Sequence, residues 1–218
     1  MDRWATFDCY GTLIDWRGGI RAELARLFGD DRAGGLLESY YRLEPLAQAD
    51  GALRYRDVLA RTLAAVAAAA GLGVPPGEEG ALGDSLPGWR VFPEVQEELT
   101  EARARGWRLA ILSNTDRDLL DASLATIGIP FDVTIVASEI GSYKPAPRHW
   151  QVFAEKAQVA AGRQVHVAQS LFHDIATANE LGIPSVWVNR LGEPADPEPT
   201  RELSDLTGLA GVLDELVP

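Results

Sequence analysis

Short apolar runs separated by helical patterns dominate the second half of the chain. Four such runs follow a turn signal or a segment whose apolar residues are three and four positions apart, and a fifth opens the sequence. This alternation is typical of a parallel sheet whose strands are connected by helices. We therefore predict an α/β fold with strands at 4–7, 108–112, 133–137, 165–168 and 185–188.

Helices are predicted between and after these strands. The helix that follows Pro93 has the clearest ends, because proline is favoured in a first helical turn and Gly106 stands just past its last residue. The other helices predicted in this part of the chain cover 119–127, 147–159, 174–181 and 206–216.

The longest stretch without a strand pattern lies between the first two predicted strands. Segments 20–28, 36–46 and 55–70 have helical apolar spacing, and the Gly- and Pro-rich segment 71–88 indicates a return to the sheet. The simplest account is a helical cap, residues 15–91, inserted into a catalytic core of residues 1–14 and 92–218.

Composition excludes some classes of partner. The net charge is −12 without any basic run, so neither nucleic acid nor an anionic membrane is an expected partner. Cys9 is the single cysteine, which excludes an internal disulfide and suits the cytoplasm. We expect a cytoplasmic protein that acts on a small molecule; a homodimer fits the sequence, which leaves the oligomeric state open.

Polar residues collect where the predicted strands end. A strand that delivers Asp8 onto a Gly-Thr turn presents a fixed carboxylate, which is how a protein makes a carboxylate into a nucleophile. Open α/β sheets bind their ligands at the carboxyl ends of their strands. The other residues placed at this edge are Ser113, Asn114, Lys144, Gln169, Ser170 and Asp174.

These residues resemble the four motifs of the haloacid dehalogenase superfamily. The motifs are the run from Asp8 to Leu13 (Asp-Cys-Tyr-Gly-Thr-Leu), Ser113-Asn114, Lys144-Pro145 and the segment ending at Asp174, in the family order. The resemblance covers essentially the whole chain and implies a Rossmann-like parallel core with an inserted helical cap. Within the superfamily the first motif is similar to that of the type II 2-haloacid dehalogenases, whereas phosphatases carry a second aspartate where this chain has Tyr10.

That difference has a chemical meaning. A phosphatase needs an acid to protonate its leaving oxygen and Mg²⁺ to offset phosphate charge. Tyr10 is too weak an acid, and the loop 169–174 has one carboxylate where metal-binding relatives usually have two. A halide leaves without a proton, so neither feature is needed. We expect Asp8 to attack carbon and form an ester that water then hydrolyses, with no metal and no cofactor; a phosphatase remains the alternative.

The resemblance implies the catalytic roles. Thr12 fixes the turn and binds Asp8, and Lys144 lowers the pKa of Asp8 and offsets charge in the transition state. Asp174 orients Lys144 or the hydrolytic water. Plainer interpretations exist, since a lone lysine is usually a solvated surface charge and an aspartate often begins a helix.

The resemblance also implies the substrate-binding residues. Ser113 would bind the substrate carboxylate with support from Asn114, although both residues would also suit the cap of a helix beginning near Asp116. Arg42 is the nearest match to a cap arginine that holds the leaving halide, and a surface arginine fits almost as well. Tyr10, Ser170 and His173 complete the predicted substrate site.

The segment from Ser170 to Asp174 also resembles a branch that opens the strained ring of azetidine-2-carboxylate. There an amine leaves, and His173 would help to protonate it. This reaction is kept as a second alternative, and loop packing is an equal interpretation of His173. His149 and His166 are interpreted as structural.

Overall fold

A computed structural model describes residues 2–49, 53–160 and 162–218. Its six strands form one parallel sheet in the order β3-β2-β1-β4-β5-β6, which confirms the predicted α/β class. The last strand was not predicted, because it has only three residues and its first two are exposed and charged. The strands are β1 (Arg3–Phe7), β2 (Trp107–Ser113), β3 (Val133–Val136), β4 (Gln164–Ala168), β5 (Ser185–Val188) and β6 (Arg201–Leu203).

Helices fill the segment between β1 and β2 and alternate with the strands that follow. The segment between β1 and β2 contains α1 (Trp16–Phe28), α2 (Asp30–Gln48), α3 (Tyr55–Ala69), α4 (Ala81–Ser85) and α5 (Val95–Ala104). The later helices are α6 (Arg117–Ile127), α7 (Ala137–Ile140), α8 (Arg148–Ala157), α9 (Ala176–Glu180) and α10 (Leu209–Leu216). None of the helices is long and apolar enough, over the residues described, to cross a bilayer.

Some departures from the prediction concern short helical pieces. The helix α4 lies inside the Gly- and Pro-rich segment that was predicted only as a return to the sheet. The helix predicted from residue 174 begins earlier, with a π-helical turn over Leu171–Ile175 that leads into α9. The side chain of Ser170 caps this turn by accepting a hydrogen bond from the backbone N–H of His173. The division into a cap of residues 15–91 and a core stays a prediction.

Both faces of the sheet are buried. Phe7 points to the face covered by α5 and α10, in one cluster with Leu99 and Leu209. Trp4 points to the other face, where its ring meets Phe153 of α8 edge-on at a centroid distance of 5.2 Å. Burial on both faces is the reason that the strands are nearly continuous apolar runs in the sequence.

A carboxylate of the core holds the start of α3. Asp116, which is buried at the N-cap of α6, accepts hydrogen bonds from the backbone N–H groups of Tyr55 and Arg56, both at 3.0 Å. These N–H groups begin α3 and have no partner inside the helix, and an anion there also meets the positive end of the helix dipole. Asp116 thereby fixes the position of Tyr55 relative to the sheet.

Candidate active site

The predicted nucleophile stands at the centre of the sheet edge. Asp8 follows β1 directly, and its backbone N–H donates to the carbonyl of Val167 in β4 at 3.1 Å. Because β2 lies on one side of β1 and β4 on the other, successive connections leave in opposite directions here. Such a switch point opens a crevice at the carboxyl ends of the strands. The turn beyond Asp8 requires glycine at Gly11, whose φ is +97° and whose absent Cβ would lie 2.7 Å from Trp16 Nε1.

A buried lysine connects two carboxylates. The Nζ atom of Lys144 donates to Asp8 Oδ1 at 2.8 Å and to Asp174 Oδ1 at 2.7 Å. Its third hydrogen bond goes to the carbonyl oxygen of Leu112 at 2.9 Å. All three donors of the ammonium are therefore used, and the side chain of Lys144 is 1% exposed. The three side chains form one buried charged unit with a net charge of −1.

The pKa values of this unit follow from burial and charge. Burial lowers the pKa of Lys144, but Asp174 and Asp8 more than offset it, so the pKa lies above its usual value and the ammonium is kept. Burial raises the pKa of Asp174, yet Lys144 and the hydrogen bond of His166 hold it well below its usual range. For Asp8 burial outweighs the opposing charge of Lys144, and its pKa is raised. The net shift is thus opposite to the predicted one, although Lys144 acts in the predicted direction.

Thr12 contacts the carboxylate of Asp8, and His166 contacts that of Asp174. The hydroxyl of Thr12 donates to Asp8 Oδ2 at 3.2 Å and accepts from the backbone N–H of Gln169 at 2.9 Å. His166 Nε2 is 3.0 Å from Asp174 Oδ1, and its Nδ1 is 2.9 Å from the hydroxyl of Thr6. His166 is therefore part of the site and more than the plain structural residue that we predicted from the sequence.

Ser113 and Asn114 occupy the end of β2 with different surroundings. The hydroxyl of Ser113 is fully buried and has no hydrogen-bond partner in the protein. Asn114 binds the backbone of Lys144 from both sides, with Nδ2 to its carbonyl at 3.0 Å and Oδ1 to its N–H at 2.6 Å. Ser113 is free to bind a ligand, whereas Asn114 positions the lysine. Neither side chain caps α6.

A cavity of about 100 Å³ lies in front of these groups. Tyr10 contributes to its wall, but its hydroxyl lies 3.0 Å from Ser123 Oγ and burial raises its pKa. The hydroxyl of Ser170 is 3.0 Å from His173 Nδ1, and burial lowers the pKa of this histidine. All predicted site residues except Thr12 and Arg42 line this cavity, and Thr12 contacts Asp8 without lining it. The lining residues are Asp8, Tyr10, Trp16, Glu44, Gln48, Tyr55, Ser113, Asn114, Lys144, Gln169, Ser170, His173 and Asp174.

Arg42 does not line this cavity, which corrects the prediction for it. Its side chain is exposed, and its guanidinium donates to Ser39 Oγ of the same helix at 3.1 Å. Two residues further along α2, the side chain of Glu44 is buried and lines the cavity. A step of two residues turns a helix by about 200°, so Arg42 and Glu44 point to opposite sides. The helix α2 therefore contributes an acidic residue, Glu44, to the cavity wall, and the predicted arginine lies outside the cavity.

The donor set does not fit a divalent cation of the kind that phosphatases use. The Oδ1 atoms of Asp8 and Asp174 both bind the ammonium of Lys144, so each aspartate has one oxygen left for a cation, and that of Asp8 already accepts from Thr12. Tyr10, at the position of the second acid, has its hydroxyl on Ser123. No group of three or more His, Cys, Asp or Glu side chains is arranged to hold a metal ion in the part of the chain that the structure describes.

With the fold and the site described, the chain can be assigned to a family. The sequence model of the haloacid dehalogenase-like hydrolases matches residues 3–182. The chain belongs to this family, and it is a hydrolase.

Individual relatives support the same assignment. (S)-2-Haloacid dehalogenase 4A of Burkholderia cepacia is 26% identical over 99% of this chain and 94% of its own length. A phosphoserine phosphatase of Thermus thermophilus is 33% identical over 115 residues, which are 52% of this chain and 46% of the phosphatase. The crystal structure of an L-2-haloacid dehalogenase superposes with a TM-score of 0.88 over 98% of this chain and 99% of its own, at 23% identity. That last likeness concerns the fold.

Sequence reasoning missed three residues that the structure places at or near the site, namely His166, Glu44 and Asp116. His166 interrupts an apolar strand, which was a visible signal. Glu44 continues a buried stripe of α2 at a spacing of four from Tyr40, and this signal was also present. Asp116 gave no signal beyond a helix start, because its partners lie on a helix distant in sequence.

Proposed function

We propose that this hydrolase acts on a small 2-substituted carboxylic acid and replaces the substituent by hydroxyl through an ester of Asp8. The observation that carries the proposal is the position of the Asp8 carboxylate. One of its oxygens accepts from Lys144 and the other from Thr12, and both side chains are buried. A carboxylate held in this way at a cavity has lost most of its hydration and is fixed in orientation, as a nucleophile requires.

The reaction follows from the contacts of this carboxylate. An oxygen of Asp8 attacks the carbon that bears the substituent, the bond to the substituent breaks, and an alkyl ester results. Lys144 keeps the carboxylate in the site as an anion before the attack and offsets charge as the ester forms and is hydrolysed. Asp174 fixes the ammonium at 2.7 Å, and its low pKa makes it a positioning group and a poor base. Water then attacks the ester carbonyl and restores Asp8.

Ser113 supplies the contact for the substrate carboxylate. Its hydroxyl is buried at the cavity without a protein partner. A buried hydroxyl without a hydrogen bond is unfavourable, so a hydrogen bond to a ligand would stabilise the complex. Asn114 supports the site indirectly, through the backbone of Lys144.

The relatives and the site favour carbon over phosphorus as the point of attack. The relative that aligns over nearly the whole chain is named as an (S)-2-haloacid dehalogenase, whereas the phosphatase aligns over about half of it. Tyr10 cannot serve as the acid of a phosphatase, because burial raises the pKa of its phenol further above the usual range. Opening of a strained C–N ring, as in azetidine-2-carboxylate, is the second candidate. It is favoured by His173 and Glu44, two protonatable groups on the cavity wall.

The cellular location and the partners of the protein are also proposed. A buried, unpaired Cys9 suits the cytoplasm, and the net charge of −12 makes nucleic acid an unsuitable partner. A homodimer stays a prediction that sedimentation or light scattering would test.

A substrate screen tests the proposal. Matched 2-haloacids, azetidine-2-carboxylate and phosphate monoesters are offered to the purified enzyme with and without EDTA. We expect turnover of a 2-substituted carboxylic acid that survives chelation and is lost in Asp8→Asn. Turnover of phosphate esters alone, abolished by EDTA and restored by Mg²⁺, would contradict the proposal.

A further inference from the structure

An acidic side chain of α2 lines the same cavity as the predicted nucleophile. Glu44 of α2 is 8% exposed and lines the same cavity as Asp8, together with Gln48 one helical turn further on. Glu44 takes no part in the attack by Asp8 or in the hydrolysis of the ester. A carboxyl group that faces a reaction centre costs free energy to bury, so its presence there calls for an explanation.

The hydrogen bonds that reach Glu44 come from neutral groups. The hydroxyls of Tyr55 and Tyr40 donate to Glu44 Oε1 at 3.1 and 3.4 Å, and Gln48 adds a further hydrogen bond. Asp116 fixes Tyr55 through its backbone N–H, so the carboxyl is held in place from the core as well as from the cap.

The charge state of Glu44 follows from these surroundings. Burial raises its pKa, and the hydrogen bonds from Tyr55, Gln48 and Tyr40 only partly offset the rise. The nearest ammonium on the cavity wall, that of Lys144, already donates all three of its protons elsewhere. With neutral partners and no cation beside it, Glu44 holds its proton more readily than an exposed carboxyl does, and the protonated form has a hydrogen to donate into the cavity.

We infer that Glu44 is a catalytic acid on the cap side of the cavity and that it donates its proton to the substituent that leaves when Asp8 attacks. This rests on the function proposed above and names the substrate class for the same cavity. The preferred substrates are 2-substituted carboxylic acids whose leaving atom is basic and carries no proton of its own, such as a fluorine; an amine nitrogen, which is an ammonium at neutral pH, brings its own proton. Chloride and bromide leave without a proton and gain little from such a residue.

The step balances without any further reactant. As Asp8 forms its bond to carbon, the bond to the substituent breaks, its electron pair stays on the departing atom, and that atom takes the proton of Glu44. Water then attacks the ester carbonyl, the alcohol takes one of its protons, and the other returns through solvent to the Glu44 carboxylate. The sum is substrate plus water giving a hydroxy acid and the protonated leaving group.

Substrates that differ only in the leaving atom test the inference. Turnover of 2-fluoropropionate and 2-chloropropionate is measured with wild type, Glu44→Gln and the control Glu38→Gln. The side chain of Glu38, on the outer side of α2, is 62% exposed. General acid catalysis contributes about 100-fold or more, so we expect Glu44→Gln to slow the fluoride substrate by about that factor and the chloride substrate by less than about tenfold. The control variant should match wild type.

Two results of this comparison would overturn the inference. One is an equal effect of Glu44→Gln on both substrates, which would mark a purely structural role. The other is a wild-type enzyme that turns over the chloride substrate alone. If wild type turns over neither of them, the proposed function itself fails, and the role of Glu44 fails with it.

Infrared spectroscopy tests the proposed role of Glu44 separately from the proposed role of Asp8. The infrared difference between wild type and Glu44→Gln should contain the carbonyl stretch of a protonated carboxylic acid at neutral pH; its absence would overturn the inference without touching the role of Asp8. The rate with a basic leaving atom should also fall as pH rises through the pKa of Glu44. The pH–rate profile of the chloride substrate should not show this fall. The groups that face Glu44 and titrate in the same experiment are Tyr40, Tyr55, Tyr143, Asp8, Lys144, His173 and Asp174.

Discussion

Replacing Lys144 by methionine removes the charge that two buried carboxylates share. Methionine keeps nearly the volume of the lysine stem, so packing changes little. What is lost is the ammonium and its bonds of 2.8 Å to Asp8, 2.7 Å to Asp174 and 2.9 Å to the carbonyl of Leu112. The two aspartates are 7% and 1% exposed, and they would then stand together without a cation.

The expected loss of stability is large. Removing one partner of a buried ion pair costs about 3–5 kcal/mol, because the remaining charge stays buried and unpaired. For a chain of this length that corresponds to a fall of roughly 6–20 °C in Tm. The loss should shrink on acidification. In wild type the lowered pKa of Asp174 gives stability that is present above its unfolded-state pKa and lost as pH falls. In Lys144→Met the ammonium no longer opposes the effect of burial, so the pKa of both carboxyls rises and acid reduces the loss of stability in this variant.

Urea unfolding followed by tryptophan fluorescence, at neutral pH and at about pH 5, measures this difference. Lys156→Met is the matched control, since Lys156 is exposed on α8. Lys144→Met/Asp174→Asn should recover part of the loss, because one of the two uncompensated charges is gone. A loss below about 1 kcal/mol, or the same loss at both pH values, would refute the reasoning, since buried pairs exceed that range.

Three further predictions concern the cavity and the cap. Ser113→Ala should change the free energy of unfolding by less than about 1 kcal/mol, because its hydroxyl has no protein partner, and should raise KM for the carboxylate substrate; an unchanged KM would argue against that role. Arg42→Ala should alter kcat/KM by less than about threefold, as expected for a surface side chain, and a larger loss would mean that Arg42 reaches the substrate. Because burial raises the pKa of Glu44, the stability linked to its proton is present at low pH and lost as pH rises through that pKa; Glu44→Gln should therefore gain in Tm over wild type with increasing pH, and parallel curves would contradict this.

The sheet could be predicted because it is buried on both faces. Strands between two helical layers become continuous apolar runs, and their ends are marked by turns and by polar residues such as Asp8 and Ser113. The strand β6 could not be predicted, because an exposed edge of three residues does not need an apolar pattern. The helices α1, α2 and α3 were predicted from spacing alone, although the longest, α2, extends six residues before and two beyond the predicted segment.

The residues that the strand ends contribute to the site could be predicted, but those that α2 contributes could not. Residues at strand ends are brought together by topology, so the placement of Lys144 and Asp174 near Asp8 follows from sequence order. The rotation of α2 about its axis decides which of its faces meets the cavity. The resemblance on which Arg42 was chosen did not determine that rotation. The buried stripe that runs through Tyr40 contains Glu44 and Gln48, and a polar residue on a buried stripe would have been the better guide.

The fate of one oxygen atom tests the covalent role of Asp8 most directly. In a single turnover in ¹⁸O-water with enzyme in excess, the oxygen delivered to the product comes from the Asp8 side chain. Water enters afterwards, at the ester carbonyl, and its oxygen stays in the regenerated carboxylate. Mass spectrometry should therefore find unlabelled product and a labelled peptide containing Asp8, and Asp8→Asn should show neither turnover nor label. Heavy oxygen in the first-turnover product, with an unlabelled Asp8, would show that water attacks carbon itself and that no ester forms.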